Sequence, residues 1–249
     1  MHVHLADNAY SQYLNHLLAG LRAMNIIACS VSVDVATTER GLELVETNHD
    51  IVRNFAGIHP EAAGRENLHA FRDIFSRNID NIDGIGEIGL DKSYEERGIV
   101  TYATQKVVFD EMIRLAESAG KPVSIHSRKA LDDILQMLPS YRLKSVLLHW
   151  FAGSKKQLAQ AADMGLYVSF GPALLYSDDK RVLLQHAPRD RILVETDGPV
   201  SYSRCFENLP GASTSFLVSV VSSAAKVLGM NFDEAGALFE VNSNAYLSP

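Results

Sequence analysis

Short apolar runs alternate with longer amphipathic stretches from one end of this 249-residue chain to the other. The runs are 2–5 (HVHL), 26–31 (IIACSV), 54–58 (NFAGI), 84–88 (GIGEI), 122–126 (PVSIH), 146–149 (VLLH), 166–170 (LYVSF) and 192–196 (ILVET). Each has strand length. Helical periodicity recurs between them, near 9–24, 36–48, 65–78, 99–119, 128–139, 154–164 and 178–187, with two more stretches near 212–228 and 232–240. In 107–116 (VVFDEMIRLA), for example, Val108, Met112 and Leu115 share one helical face, flanked by Val107 and Phe109. Strands that alternate with helices pair in parallel through βαβ units. Eight such units predict the α/β class and a (β/α)8 TIM barrel. No Gly- or Pro-rich linker divides the chain, so residues 1–249 are expected to form a single domain.

A barrel of this kind builds its active site at the C-terminal ends of its strands. Polar residues that end apolar runs are therefore the ones to weigh. His2 and His4 lie two apart, so a strand puts both imidazoles on one face. Alone, His-x-His is weak and fits a solvated terminus equally well. Glu87 sits among apolar neighbours in GEIGLD, where a carboxylate is costly unless it is paired or bound to metal. Pairing with a buried Lys or Arg is the plain alternative. His126 and His149 end two successive runs, and neutral imidazole is a common ligand for zinc-like ions. Asp197 follows the eighth run, which closes against the first, so it is expected near His2 and His4. Turn chemistry before Gly198-Pro199 would also explain an aspartate there. Together the six offer enough nitrogen and oxygen for two divalent cations. Glu87 has two oxygens with which to bridge them, and Asp197 could also serve as general base.

Three further residues on the same rim are candidates for holding a substrate: His59 in GIHPE, Arg128 and Lys92. His59 could hydrogen-bond a phosphate or carbonyl oxygen, and the two cations could neutralise an anion. Each is equally at home as an ordinary loop residue. The segment 198–211 (GPVSYSRCFENLPG) reads as a loop over the catalytic face. Cys29 reads as a small apolar filler.

Composition narrows the partners. The net charge is −7 and the pI about 5.7, with no basic stretch, so a broad basic face for nucleic acid is excluded. No apolar run reaches membrane-spanning length, and the N-terminus lacks a signal-peptide pattern. The only cysteines, Cys29 and Cys205, are far apart. That suits a reducing cytoplasm and no disulfide scaffold. No obligate protein partner is implied.

In order, HVHL, GIHPE, GEIGLD, IHSRKA, LHWFAG and ETDGP resemble the landmarks of the TatD family of metal-dependent deoxyribonucleases, within the amidohydrolase-like barrels. The resemblance spans essentially the whole chain. It implies a barrel with a two-metal centre. His2, His4 and Asp197 would hold one ion, His126 and His149 the other, and Glu87 would bridge them. It also implies magnesium, manganese or zinc as cofactor, DNA as substrate, and exonuclease action through a metal-activated water. His59 and Arg128 would then face phosphate oxygens.

The chain departs from the family at three places. Met1 directly precedes His2, whereas relatives carry a residue or two there, so strand one is expected to have almost no lower half. The segment 211–218 (GASTSFLV) lacks a proline, and the exit of strand seven, GPALLYS, is unusual. Two other readings keep the metals. One is an amidohydrolase-type hydrolase of a small ester, lactone, amide or phosphoester, although the bridging position here is a glutamate where many such relatives use a carboxylated lysine. The other is a metal-binding scaffold without turnover.

Overall fold

The eight strands form one parallel sheet in sequence order. The structure, a computed structural model, describes residues 2–66, 68–202, 204 and 214–248. The strands are β1 His2–Val3, β2 Ala28–Val31, β3 Val52–Ala56, β4 Gly84–Asp91, β5 Val123–Arg128, β6 Val146–Leu148, β7 Tyr167–Phe170 and β8 Ile192–Val194. The helices are α1 Leu14–Ala23, α2 Val35–Asn48, α3 Leu68–Arg77, α4 Lys92–Glu96, α5 Tyr102–Ala119, α6 Leu131–Met137, α7 Lys155–Asp163, α8 Asp178–His186, α9 Thr214–Leu228 and α10 Phe232–Leu247. The architecture is the expected (β/α)8 barrel. Two backbone hydrogen bonds close it: Asp197 N–H donates to His2 O at 3.1 Å, and His4 N–H donates to Gly198 O at 2.8 Å. The residues that join the last strand to the first are thus the candidate site residues themselves.

Several boundaries differ from the sequence reading. β4 runs on to Asp91, three residues past the expected end. There the Asp91 side chain accepts from Ser93 N–H at 2.8 Å and caps the short helix α4, which hydrophobic periodicity is too coarse to reveal. β5 reaches Arg128 and so delays the next helix to Leu131. β1 spans only His2–Val3, so it stops two residues short of the expected end at Leu5, and His4 lies just past the strand. A cavity of about 540 Å³ is lined among others by His2, Cys29, Phe55, Leu147, Leu193 and Tyr246. Most of the expected loop 198–211, Cys205 included, and residues 211–213 of GASTSFLV fall outside the described residues.

α5 illustrates how helices clamp the barrel. Thr101 caps its start and Gly120, at φ 62°, ends it. Phe109, Met112 and Ile113 are buried, whereas Val107 is 65% exposed and Leu115 only half-buried. The inward face is therefore rotated from the expected one, toward the Phe109 side. Burying a side chain such as Met112 contributes about 1.5–3 kcal/mol. From the same face, Gln105 takes both backbone groups of Asp91: its Oε1 accepts from Asp91 N–H at 2.8 Å, and its Nε2 donates to Asp91 O at 3.0 Å. The end of β4 is fixed before any site chemistry begins. No single helix among the described residues is long and apolar enough to cross a membrane.

Candidate metal centre

Glu87 is the hub. The ladder between β4 and β5 shifts register between Ile85 and Ile88, and Glu87 sits in that irregularity. Bulges of this kind re-aim a side chain. Here the carboxylate enters the barrel mouth and is buried at 3% exposure. Its two oxygens face different histidines. Oε2 lies 3.5 Å from His2 Nε2 and 3.2 Å from His4 Nε2. Oε1 lies 3.0 Å from His126 Nδ1 and 2.7 Å from His149 Nε2. Asp197 Oδ1 completes the first side, 3.4 Å from His2 Nε2 and 3.3 Å from His4 Nε2. All six residues singled out by the sequence converge.

Asp197 adopts a left-handed backbone, φ 53°, which aspartate tolerates better than most residues. Its carbonyl accepts from Val200 N–H at 3.1 Å, so the turn and the site use different parts of the same residue. The rings pack tightly: His2 stacks on His149 with centroids 4.2 Å apart. His2 Nδ1 meets Ser124 Oγ at 3.0 Å, which steadies the ring from β5.

The substrate candidates separate. His59 is buried, and its Nδ1 accepts from Glu61 N–H at 3.3 Å. The neutral ring therefore carries its proton on Nε2, which lies 3.5 Å from Glu87 Oε1. His59 thus presents an N–H donor to the site. Arg128 ends β5 exposed and has no partner among the described residues. Lys92 is the first residue of α4, and its ammonium pairs with Asp133 at 2.9 Å and lies over the Tyr102 ring. That partnership leaves it less free for an anion than the sequence suggests.

Two acids went unassigned in the sequence although both lie inside its motifs. Asp91, the last letter of GEIGLD, places Oδ2 3.2 Å from His126 Nε2. It lies two-residue steps along β4 from Glu87, and that spacing is the signal that could have found it. Glu195, in ETDGP, accepts from Ser169 Oγ at 2.6 Å and from Trp150 N–H at 2.7 Å. It stands 3.9 Å from His149 Nδ1.

Electrostatics bind the cluster together. Burial alone would pull His4 down, but Asp197 and Glu87 beside it overrule burial and push it up to about 10. His149 and His126 are likewise raised by neighbouring carboxylates against the effect of burial. Burial would lift Glu87 and Asp197, yet the surrounding imidazoles hold both low. Burial, helped by the charges of His126, His4 and His149, lowers His59 to about 3.

The donor set fits divalent cations. His2 Nε2 and Asp197 Oδ1 are buried and make no hydrogen bond, so both keep lone pairs directed into the cluster. Three groups have ligand atoms all within 4.8 Å of one another: His2, His4, Glu87 and Asp197; His59, Glu87 and His126; and His2, His149 and Glu195. His126 and His149, expected as one pair, share Glu87 Oε1; by this spacing His126 also groups with His59, and His149 with His2 and Glu195.

Residues 1–248 match the profile of the family described as TatD related DNase. The chain belongs to that family. It is 26% identical over 250 residues to an uncharacterized metal-dependent hydrolase, YabD, of Bacillus subtilis, covering 97% of this chain and 95% of the relative. It is 30% identical to the 3'-5' ssDNA/RNA exonuclease TatD of Edwardsiella piscicida, covering 84% of this chain and 81% of the relative. The crystal structure of a TatD homologue from Escherichia coli superposes with a TM-score of 0.87 at 21% identity, covering 99% of this chain and 96% of that one. As a TatD family member, the chain is a metal-dependent hydrolase.

Proposed function

We propose that this TatD family member is a two-metal phosphodiesterase that removes nucleotides from the end of a DNA strand. The observation that carries the reading is the division of Glu87, with Oε2 toward His2 and His4 and Oε1 toward His126 and His149. One carboxylate between two sets of nitrogen donors suits a bridge between two cations. His2, His4 and Asp197 would hold one, His126 and His149 the other. Imidazole and carboxylate together suit zinc or manganese, and magnesium is admissible through the carboxylates. When bound, the cations supply Lewis-acid charge and make water nucleophilic near neutral pH.

The residues themselves do the rest. Asp197, held ionised by His2 and His4, accepts the proton of the attacking water at a carboxylate oxygen. His59 Nε2–H and the unpartnered Arg128 guanidinium face the charge that develops on phosphoryl oxygens. The Edwardsiella relative's name, a 3'-5' ssDNA/RNA exonuclease, supports a nucleic-acid substrate entered from its 3' end. The reading takes the chain as one hydrolase domain working in the cytoplasm, where the free thiol of Cys29 stays reduced.

A 3'-labelled DNA oligomer with added magnesium or manganese tests it. The parent is expected to release mononucleotides and Asp197→Asn to release almost none. No cleavage by either, with hydrolysis of a small ester or lactone by the parent, would overturn the DNA assignment. Bound metal with no turnover of anything would favour a scaffold.

A further inference from the structure

We infer that Trp150 is a stacking plate for a nucleobase of the strand being cut; this rests on the nuclease reading above. Trp150 directly follows His149, whose Nε2 is 2.7 Å from Glu87. Its backbone is left-handed at φ 43°, a conformation that bulky residues seldom adopt. Such outliers persist only where the surroundings impose them, and they cluster at functional sites. Here the surroundings do impose it: Trp150 N–H donates to Glu195 Oε1 at 2.7 Å and to Ser169 Oγ at 3.1 Å. Glu195 is itself fixed by Ser169 at 2.6 Å.

One face of the indole is already occupied. The Tyr202 ring stacks on it with centroids 5.4 Å apart and planes 29° apart. Tyr202 is buried, and its hydroxyl donates to Thr196 O at 2.9 Å, one residue before Asp197. The pair therefore spans the rim between β6 and β8: Trp150 is next to His149 in the chain, and Tyr202 is hydrogen-bonded to the residue before Asp197. A core filler would be buried in an ordinary conformation. Trp150 is only half-buried, and its indole N–H has no partner among the described residues. A rigid aromatic plate beside a phosphodiester site suits the π-face common to all bases, so the contact is tolerant of sequence.

Trp150 is the only tryptophan in the chain, so its emission reports the plate alone. The full chain, kept from turning over by Asp197→Asn, is titrated with a short oligodeoxythymidylate. Saturable quenching is expected. In parallel, Trp150→Ala in the parent is expected to raise KM roughly tenfold on an intact 3' end. Its kcat should change little, and Trp150→Phe should restore most of the KM. An oligomer lacking its terminal base should bring the parent to the level of the Ala variant, which should show no further loss. Absence of quenching while the parent cleaves DNA would overturn the plate and leave the nuclease reading standing. So would equal losses for Trp150→Ala on intact and abasic ends. Quenching without cleavage by the parent would support the plate and sink the nuclease. Neither quenching nor cleavage would remove both. Because the titration leaves Trp150 in place, it decides the matter even if Trp150→Ala does not fold.

Discussion

Asp91 Oδ2 stands 3.2 Å from His126 Nε2, on the opposite side of the ring from Glu87. With its Nε2 held by Asp91, the ring has Nδ1 as the nitrogen that faces Glu87 and would ligate a cation. Burial would raise the Asp91 pKa, but His126 and the Ser93 N–H hold it near 2, so it stays ionised at any working pH. Its other oxygen caps α4 and Gln105 grips its backbone, so the ring is anchored by fold as well as by charge.

Asp91→Asn keeps the shape and removes the charge. Partners of ligating histidines are typically worth about 10–100-fold in metal affinity. A loss in that range is expected for manganese, read by calorimetry, together with a lower Tm of the metal-free protein at neutral pH, because the lowered pKa of Asp91 marks a charge that stabilises the fold. An affinity equal to the parent's would show that Asp91 serves only as the helix cap.

Gly89→Ala should damage the same ring from the backbone side. Gly89 has φ 151°, and a Cβ there would lie 2.0 Å from His126 O. Backbone cannot rotate away as a flexible side chain would, so β4 and β5 must part locally. The overpacking cost is about 1–3 kcal/mol, with His126 displaced from Glu87. Chemical denaturation and metal titration should both report it. Unchanged stability together with parental metal affinity would mean that the strands yield more easily than their pairing suggests.

How much of this was legible in the sequence depends on scale. The eight strands and their order follow from alternation, because short runs separated by helical stretches pair in parallel with their neighbours in the chain. The convergence of His2 with Asp197 follows from closure, since the eighth strand must meet the first. The rotated face of α5 was not legible: Val107 and Phe109 differ in exposure only because the helix meets the barrel at one angle, which periodicity does not encode. Asp91 and Glu195 escaped for another reason. A carboxylate near a strand end reads as cap or turn chemistry, and Asp91 does cap α4 while its second oxygen serves His126. Lys92 looked free because its partner, Asp133, lies on another helix far along the chain.

Glu87→Gln tests the hub without metal. In the metal-free chain His4 and His149 are protonated at neutral pH, and Glu87 is their shared counter-charge. Removing one partner of a buried ionic cluster costs about 3–5 kcal/mol. A loss of that order is expected in urea unfolding with chelator at neutral pH. Added manganese should recover little of it, because the bridge is gone. A variant as stable as the parent would imply that the histidines are neutral in the metal-free fold.

The last prediction concerns pH, and its sign differs between the metal-free and metal-loaded protein. His4 rises from an ordinary 6.5 to about 10 on folding, because Asp197 and Glu87 outweigh burial. Between those values the folded chain binds more protons than the unfolded one, so stability falls as pH rises. The contribution of His4 is full below about 6.5 and lost toward about 10. A cation reverses the trend: it needs the imidazole lone pair, competes with the proton, and binds more tightly as pH rises. In chelator, the Tm advantage of the parent over His4→Asn should therefore shrink from about pH 6.5 upward. With saturating manganese, the Tm gain over chelator should widen across the same interval. A parent advantage that grows with pH in chelator would mean that His4 is neutral in the folded chain, and its pairing with Asp197 and Glu87 would then hold only when metal is present.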